Sequence, residues 1–281
     1  MKIGIIGLGL LGGSMALAIK KTRQAKIFGK DLYHQDKAAK LGLFDEVLND
    51  ELIPEMDIII LATPVDTLPS LAYEVLNQIH QNTLVFDVGS TKNQLAQTID
   101  THPNRKNFLL VHPIAGTEYS GPEAAFSNLF ANKINIVCDI EKTDKEILQK
   151  GLDLFEDLQM KTIQMNSREH DRHIAYVSHL SHISSFMLGK TVMDLEKDEK
   201  NIYQMAGSGF ASTVRLAKSS PATWTPIFLE NKEPILQSLT EYIENLNFFV
   251  ELLKQSEEKE IKNLLKKINH IGKIIDKIND N

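Results

Sequence analysis

The 281-residue chain is 42% hydrophobic and 24% charged, an ordinary globular composition that excludes a disordered, collagen-like or disulfide-rich protein. Its 31 Lys and Arg against 37 Asp and Glu give a net charge of −6. That argues against bulk nucleic-acid binding but leaves room for a local basic pocket that takes a small anion. At about 150 residues per domain the length fits one large domain or two small ones. The single cysteine, Cys138, supports neither an internal disulfide nor a cysteine-based zinc site, and fits a reducing compartment. Residues 1–7 are too glycine-rich to be a signal peptide, and no apolar run approaches 18 residues. A soluble cytoplasmic protein with no membrane partner is expected.

Taken in chain order, residues 2–7 form a short β-branched strand ending in glycine, and residues 11–21 show helical periodicity. A second strand over 25–29 ends at Asp31. Residues 57–62 are a continuous apolar run, as in a strand buried on both faces; Pro64 stops it, and 65–79 reads as a helix. A strand over 83–88, a polar helix over 91–99 and strands over 108–111 and 134–137 complete the first half. Strands separated by helices of this length predict parallel βαβ units. After about residue 165 only helices are expected: 167–196, with Ser167 as N-cap, then 223–254 and 259–277. The expected division is 1–165, a doubly wound, mostly parallel α/β domain, and 166–281, an all-α domain. Ile261, Leu264, Leu265, Ile268, Ile271, Ile274, Ile275 and Ile278 make an apolar stripe that packs either on its own domain or on a second subunit.

Gly7, Gly9 and Gly12 fit G-x-G-x-x-G at the junction of a strand and a helix, which is the context a dinucleotide requires. Gly7 permits the turn, Gly9 lets a pyrophosphate approach, and Gly12 lets helix and strand pack closely. Leu10 and Leu11 open the helix whose free N–H groups face the phosphates. Asp31, 19 residues after Gly12, ends the second strand, where a carboxylate accepts from a ribose and repels a 2′-phosphate. NAD is therefore favoured over NADP, although Lys30 beside Asp31 weakens the preference. Thr63, Pro64 and Gly89 lie at further strand ends, where ligands bind in open α/β sheets.

His112 follows a strand directly and can act as a base near neutral pH. His170, His173, His179 and His182 sit on one predicted helix. At ~100° per residue the first two point away from the last two, so no four-ligand metal site is expected. Ser178, His179 and His182 share a broad face and either contact a substrate or are hydrogen-bonded core groups. Arg215, among apolar neighbours, is expected to have a planar anion partner, either a ligand or an internal carboxylate.

Several motifs together resemble the prephenate dehydrogenase family over nearly the whole chain. They are Gly7-x-Gly9-x-x-Gly12-Gly13-Ser14, residues 87–92 (DVGSTK), residues 112–118 (HPIAGTE), residues 177–182 (VSHLSH), and Gly207-x-Gly209-Phe210 leading to Arg215. The resemblance implies NAD-dependent oxidative decarboxylation of prephenate to 4-hydroxyphenylpyruvate. It makes His112 the base, and Ser90 its partner at the substrate 4-hydroxyl. Arg215 would bind a carboxylate and His182 the pyruvyl side chain, with Glu118 and Thr117 at the entrance and Ser178 and His179 in support. It also implies a homodimer through the helical domain. Many relatives carry Phe-Arg-Asp after the glycines, whereas here Phe210 precedes Ala211 and Ser212, leaving Arg215 as the main anion contact. No appended mutase or tyrosine-sensing module is expected, so tyrosine feedback would act at the active site. The rivals are arogenate as substrate, a β-hydroxyacid-type reductase, which would need a catalytic lysine motif, and a non-catalytic NAD-binding redox sensor, which would need a contact module.

Overall fold

A computed structural model describes residues 1–117, 119–198 and 201–274. Glu118 and the end of the apolar stripe, Ile275 and Ile278, lie outside the described residues. Eight strands form one sheet: β1 (Lys2–Ile6), β2 (Lys26–Lys30), β3 (Glu46–Val47), β4 (Ile58–Leu61), β5 (Leu84–Asp87), β6 (Phe108–Pro113), β7 (Ile134–Cys138) and β8 (Lys161–Met165). Their order is β3-β2-β1-β4-β5-β6-β7-β8. Every pair is parallel except β6 with β7. The helices among them are α1 (Leu10–Thr22), α2 (Gln35–Lys40), α3 (Leu68–Leu76), α4 (Asn93–Ile99) and α5 (Lys145–Asp157).

The apolar run of β4 is buried throughout because helices cover both faces of the sheet. Successive residues point to opposite faces. Ile58 and Ile60 join the layer that holds Met15 and Ile19 of α1 and Leu154 of α5; Ile59 and Leu61 join the one that holds Val75 of α3 and Leu95 of α4. Each such side chain contributes about 1.5–3 kcal/mol on burial. Strands β3 and β8 were not expected. Strand β3 has two residues, and β8 lies at the sheet edge with little buried surface, so neither carries an apolar pattern.

Beyond the sheet lie α6 (Ser167–Ile174), a π turn (Ala175–His179), α7 (Leu180–Asp198), α8 (Ser208–Thr213), α9 (Pro221–Glu230), α10 (Lys232–Lys254) and α11 (Glu258–Ile268). Three expectations are corrected here. The N-cap of α6 is Asn166, whose side chain accepts from the Arg168 N–H, and Ser167 is its first residue. The single helix expected over 167–196 contains the π turn. The helix expected over 223–254 is two helices broken at Asn231.

By internal contacts the chain forms two units, Met1–Lys232 and Glu233–Asn281. This division falls later than residue 165 because α6 is tied to the sheet layer: the Asp171 carboxylate accepts from the backbone N–H groups of Lys92 and Asn93 at the start of α4. The second unit exposes Leu236, Ile243, Leu246, Phe248, Leu253, Leu265 and Ile268.

Candidate active site

The first part of the site lies where β1 is flanked by β2 and β4, the topological switch point of the sheet. Gly7 adopts φ +94°, and a Cβ there would stand 2.5 Å from the Ala62 carbonyl oxygen. A Cβ on Gly12 would come within 1.8 Å of the Gly7 oxygen, whereas one on Gly9 would meet nothing within 4 Å. Two glycines are thus required by packing, and the third opens a cradle in front of α1. That helix begins after Gly9 with no side-chain cap, so the N–H groups of Leu10, Leu11 and Gly12 are available to an anion. Asp31 directly follows β2, with one carboxylate oxygen accepting from the Leu8 N–H at 2.7 Å and the other from the N–H groups of Tyr33 and His34. Lys30 is engaged by Asp50 at 2.7 Å. Thr63 and Pro64 follow β4, and Gly89 follows β5 with its N–H on Asp87. This donor set fits the pyrophosphate and ribose of a dinucleotide.

The second part begins at the end of β5. The Asp87–Lys92 ion pair is fully buried. Lys92 Nζ donates to the Val111 carbonyl at 2.8 Å, and Asp87 accepts from the Val111 N–H at 3.2 Å. The pair therefore clamps the residue that precedes His112. Ser90, on the same turn, has its Oγ buried without a partner among the described residues.

His112 is buried, with Nδ1 2.8 Å from Nε2 of His170, whose Nδ1 is 2.7 Å from the Asp171 carboxylate. A carboxylate only accepts, so His170 carries its proton on Nδ1. In the neutral pair His170 Nε2 then accepts from His112 Nδ1–H, which leaves His112 Nε2 as a bare lone pair. Burial, helped by His170, Lys92 and His179, holds the His112 imidazole well below its ordinary pKa. The arrangement leaves a neutral imidazole with one ring nitrogen free to accept a proton.

The structure corrects the expectation that His170 points away from His179. Both are buried, and both interact electrostatically with His112. The i→i+5 spacing of the π turn advances each residue by less than the ~100° of an α-helix, which re-phases His179 toward His170. His173 is exposed. Among the described residues no group of three or more His, Cys, Asp or Glu is placed to hold a metal ion.

His182 stacks on Trp224 with ring centroids 3.4 Å apart. Its Nδ1 donates to the Ser178 carbonyl at 3.0 Å, so the neutral ring offers an Nε2 lone pair. Burial lowers its pKa, and Arg215 lowers it further. Arg215 is therefore close to His182; it is exposed and has no carboxylate partner among the described residues, which leaves it available to a ligand anion. Thr117 is exposed, its hydroxyl accepting from the Tyr119 N–H. In the sequence Asp171 reads as an acid in the first turn of a predicted helix, Lys92 as the end of the 87–92 motif and His170 only as a possible metal ligand, while Asn231 carries no signal.

Fold and site define an oxidoreductase of the Rossmann dinucleotide-binding class. Two family models cover the chain: "Prephenate dehydrogenase, nucleotide-binding domain" over residues 15–164 and "Prephenate dehydrogenase, dimerization domain" over 166–267. The chain belongs to the prephenate dehydrogenase family. It is 35% identical over 250 residues to prephenate dehydrogenase of Bacillus subtilis, covering 86% of this chain and 67% of the relative. It is 31% identical to cyclohexadienyl dehydrogenase of Zymomonas mobilis, covering 87% and 85%. Among solved structures, prephenate dehydrogenase from A. aeolicus in complex with hydroxyphenyl propionate and NAD+ superposes with a TM-score of 0.90 at 31% identity, covering 100% of this chain and 98% of that one. Synechocystis arogenate dehydrogenase gives 0.78 at 27% identity, covering 96% and 98%.

Proposed function

We propose that this chain catalyses the NAD-dependent oxidative decarboxylation of prephenate to 4-hydroxyphenylpyruvate, the first committed reaction toward tyrosine from that substrate. The observation that carries the reading is the Asp171–His170–His112 series, which presents an unprotonated Nε2 from the strand beside Ser90. The A. aeolicus neighbour with NAD+ and a hydroxyphenyl ligand supports the choice of cofactor and substrate class. Gly7, Gly9, Gly12, Leu10 and Leu11 would hold the pyrophosphate, Asp31 the ribose, and Thr63, Pro64 and Gly89 the floor. NAD, when bound, accepts the hydride from C4 of the cyclohexadienol ring.

His112 Nε2 takes the proton of the 4-hydroxyl, with Ser90 Oγ holding that hydroxyl in line. As protonation develops, Asp171 stabilises the imidazolium through His170. Loss of the ring carboxylate as CO2 aromatises the ring, and the phenol oxygen takes the proton back from His112. Arg215 holds a substrate carboxylate, His182 and Ser178 the side chain, with His179 in support and Thr117 at the entrance. Residues 1–165 act as the NAD-binding domain, and residues 166–281 as the substrate-binding domain that pairs two copies. No helix among the described residues is long and apolar enough to cross a membrane, and a cytoplasmic homodimer fits that and the family's dimerisation domain.

A second reading has its own observation. The neutral His182 offers a lone pair, which suits the ammonium of arogenate; the keto oxygen of prephenate needs that ring charged. Incubation with prephenate and NAD is expected to release one CO2 per NADH. NADH formed without CO2 would indicate a plain hydride-transfer reaction and refute the proposal.

A further inference from the structure

Asn231 sits at the break between α9 and α10 with 2% of its surface exposed. Its side-chain nitrogen is 2.7 Å from the Asp171 carbonyl oxygen and 3.1 Å from His179 Nδ1. The first contact orients the amide, because a backbone carbonyl only accepts and the atom facing it must be the NH2. One hydrogen goes to Asp171 and the other is directed at His179 Nδ1. That nitrogen accepts, so the proton of the neutral ring sits on Nε2. Burial keeps the ring neutral, with its pKa lowered to about 4. Nε2 itself is buried with no partner among the described residues, on a residue 1% exposed. The ring is fixed further by Trp224, which meets it edge-on with centroids 5.9 Å apart. A buried N–H without an acceptor is costly, and such groups recur where a ligand completes them. The histidines nearest to it in charge, His170 and His182, belong to the site described above.

We propose that Asn231 is a positioning residue: it locks His179 in the Nε2–H tautomer, so that the pocket presents a neutral donor to a carboxylate or keto oxygen of the substrate. The proposal deepens the dehydrogenase reading and rests on it for the substrate's identity. A substrate bringing an ammonium to this point would set donor against donor. Asn231 does not touch the reacting atoms; its effect passes through the ring it orients.

The test begins with the free protein. Histidine 15N spectra, with His179 assigned by its loss in His179→Gln, report which ring nitrogen carries the proton. The expected result is Nε2–H at neutral pH. An Nδ1–H tautomer overturns the proposal whatever the protein turns over. In Asn231→Asp the carboxylate draws the proton to Nδ1. The KM for prephenate then rises about tenfold or more, the loss of one hydrogen bond to an anion, while kcat falls less. A folded Asn231→Asp with KM within twofold of the parent also overturns it. If that variant does not fold, the comparison of His179→Gln with His179→Asn decides. Glutamine carries its amide at the Nε2 position and asparagine only at Nδ1, so KM is expected about tenfold higher for asparagine; equal values overturn the lock. A failure of the dehydrogenase reading looks different, as absence of turnover by the parent protein with prephenate and arogenate alike.

Discussion

The proton on His112 is placed by Asp171, two side chains away. Because that carboxylate accepts from His170 Nδ1, the order of protons along the series is determined, and Nε2 of His112 is left bare. His112→Asn is expected to retain NAD affinity and lose roughly 10²–10⁴-fold in turnover, measured as NADH formation beside a cofactor titration. Asp171→Asn removes the acceptor that sets the order and is expected to lower kcat at least roughly tenfold, with a smaller change in KM. The pH profile of kcat/KM follows from the sign of the His112 shift. In the proposed role His112 works when neutral, and its pKa is held well below 6.5. Activity therefore persists as pH falls through 6.5 and declines only below it, and an acid limb centred at or above 6.5 would contradict the assignment. His112 stood out in the sequence because it closes an apolar run and precedes Pro113 and Gly116, although the strand β6 extends through it to Pro113. The parts played by Asp171 and Asn231 did not. Asp171 touches its neighbour His170, but His170 meets His112 across 58 residues and Asn231 meets Asp171 across 60, and one-dimensional spacing does not report such proximity.

At the scale of elements, the glycine turn separates packing from binding. Gly12→Ala would drive a Cβ into the Gly7 carbonyl and is expected to lower Tm by several degrees or prevent folding. Gly9→Ala meets open space, so its Tm is expected to stay near the parent's while its affinity for NAD falls about tenfold, because the new methyl occupies the cradle. Thermal melts with cofactor titrations distinguish the two. This turn was readable because its chemistry is local to six residues. The π turn was not: one extra residue in the ring leaves the polar and apolar alternation of 167–196 intact, yet it turns His179 toward His170. The break at Asn231 was missed for a different reason. Leu229, Glu230, Lys232 and Glu233 are good helix formers, but Pro234 in the first turn of α10 has no N–H to donate to the Glu230 carbonyl, and that signal was passed over.

For the whole molecule, the buried histidines link folding to pH. His179 has a folded pKa of about 4 against about 6.5 unfolded, so the unfolded chain binds the extra proton first as pH falls. Its contribution is complete above 6.5 and is lost progressively between 6.5 and 4, on the order of 3 kcal/mol, and His112 acts in the same direction. Melting temperature is expected to fall across that window, and a flat profile would mean that these rings are not buried neutral. The second unit's exposed Leu246, Phe248 and Leu253 are expected to be covered by a second copy, so sedimentation should give twice the chain mass and Leu246→Glu should give monomers. The global charge of −6 stands against a substrate with two carboxylates. Recognition is expected to rest on local groups, with Arg215 first among them, and Arg215→Ala is expected to raise KM more than it lowers kcat. The most direct measurement is a two-by-two matrix of initial rates, prephenate or arogenate against NAD or NADP. The highest kcat/KM is expected for prephenate with NAD, through the Asp31 carboxylate and the His179 donor. Turnover with neither substrate, or a clear preference for NADP, would contradict it.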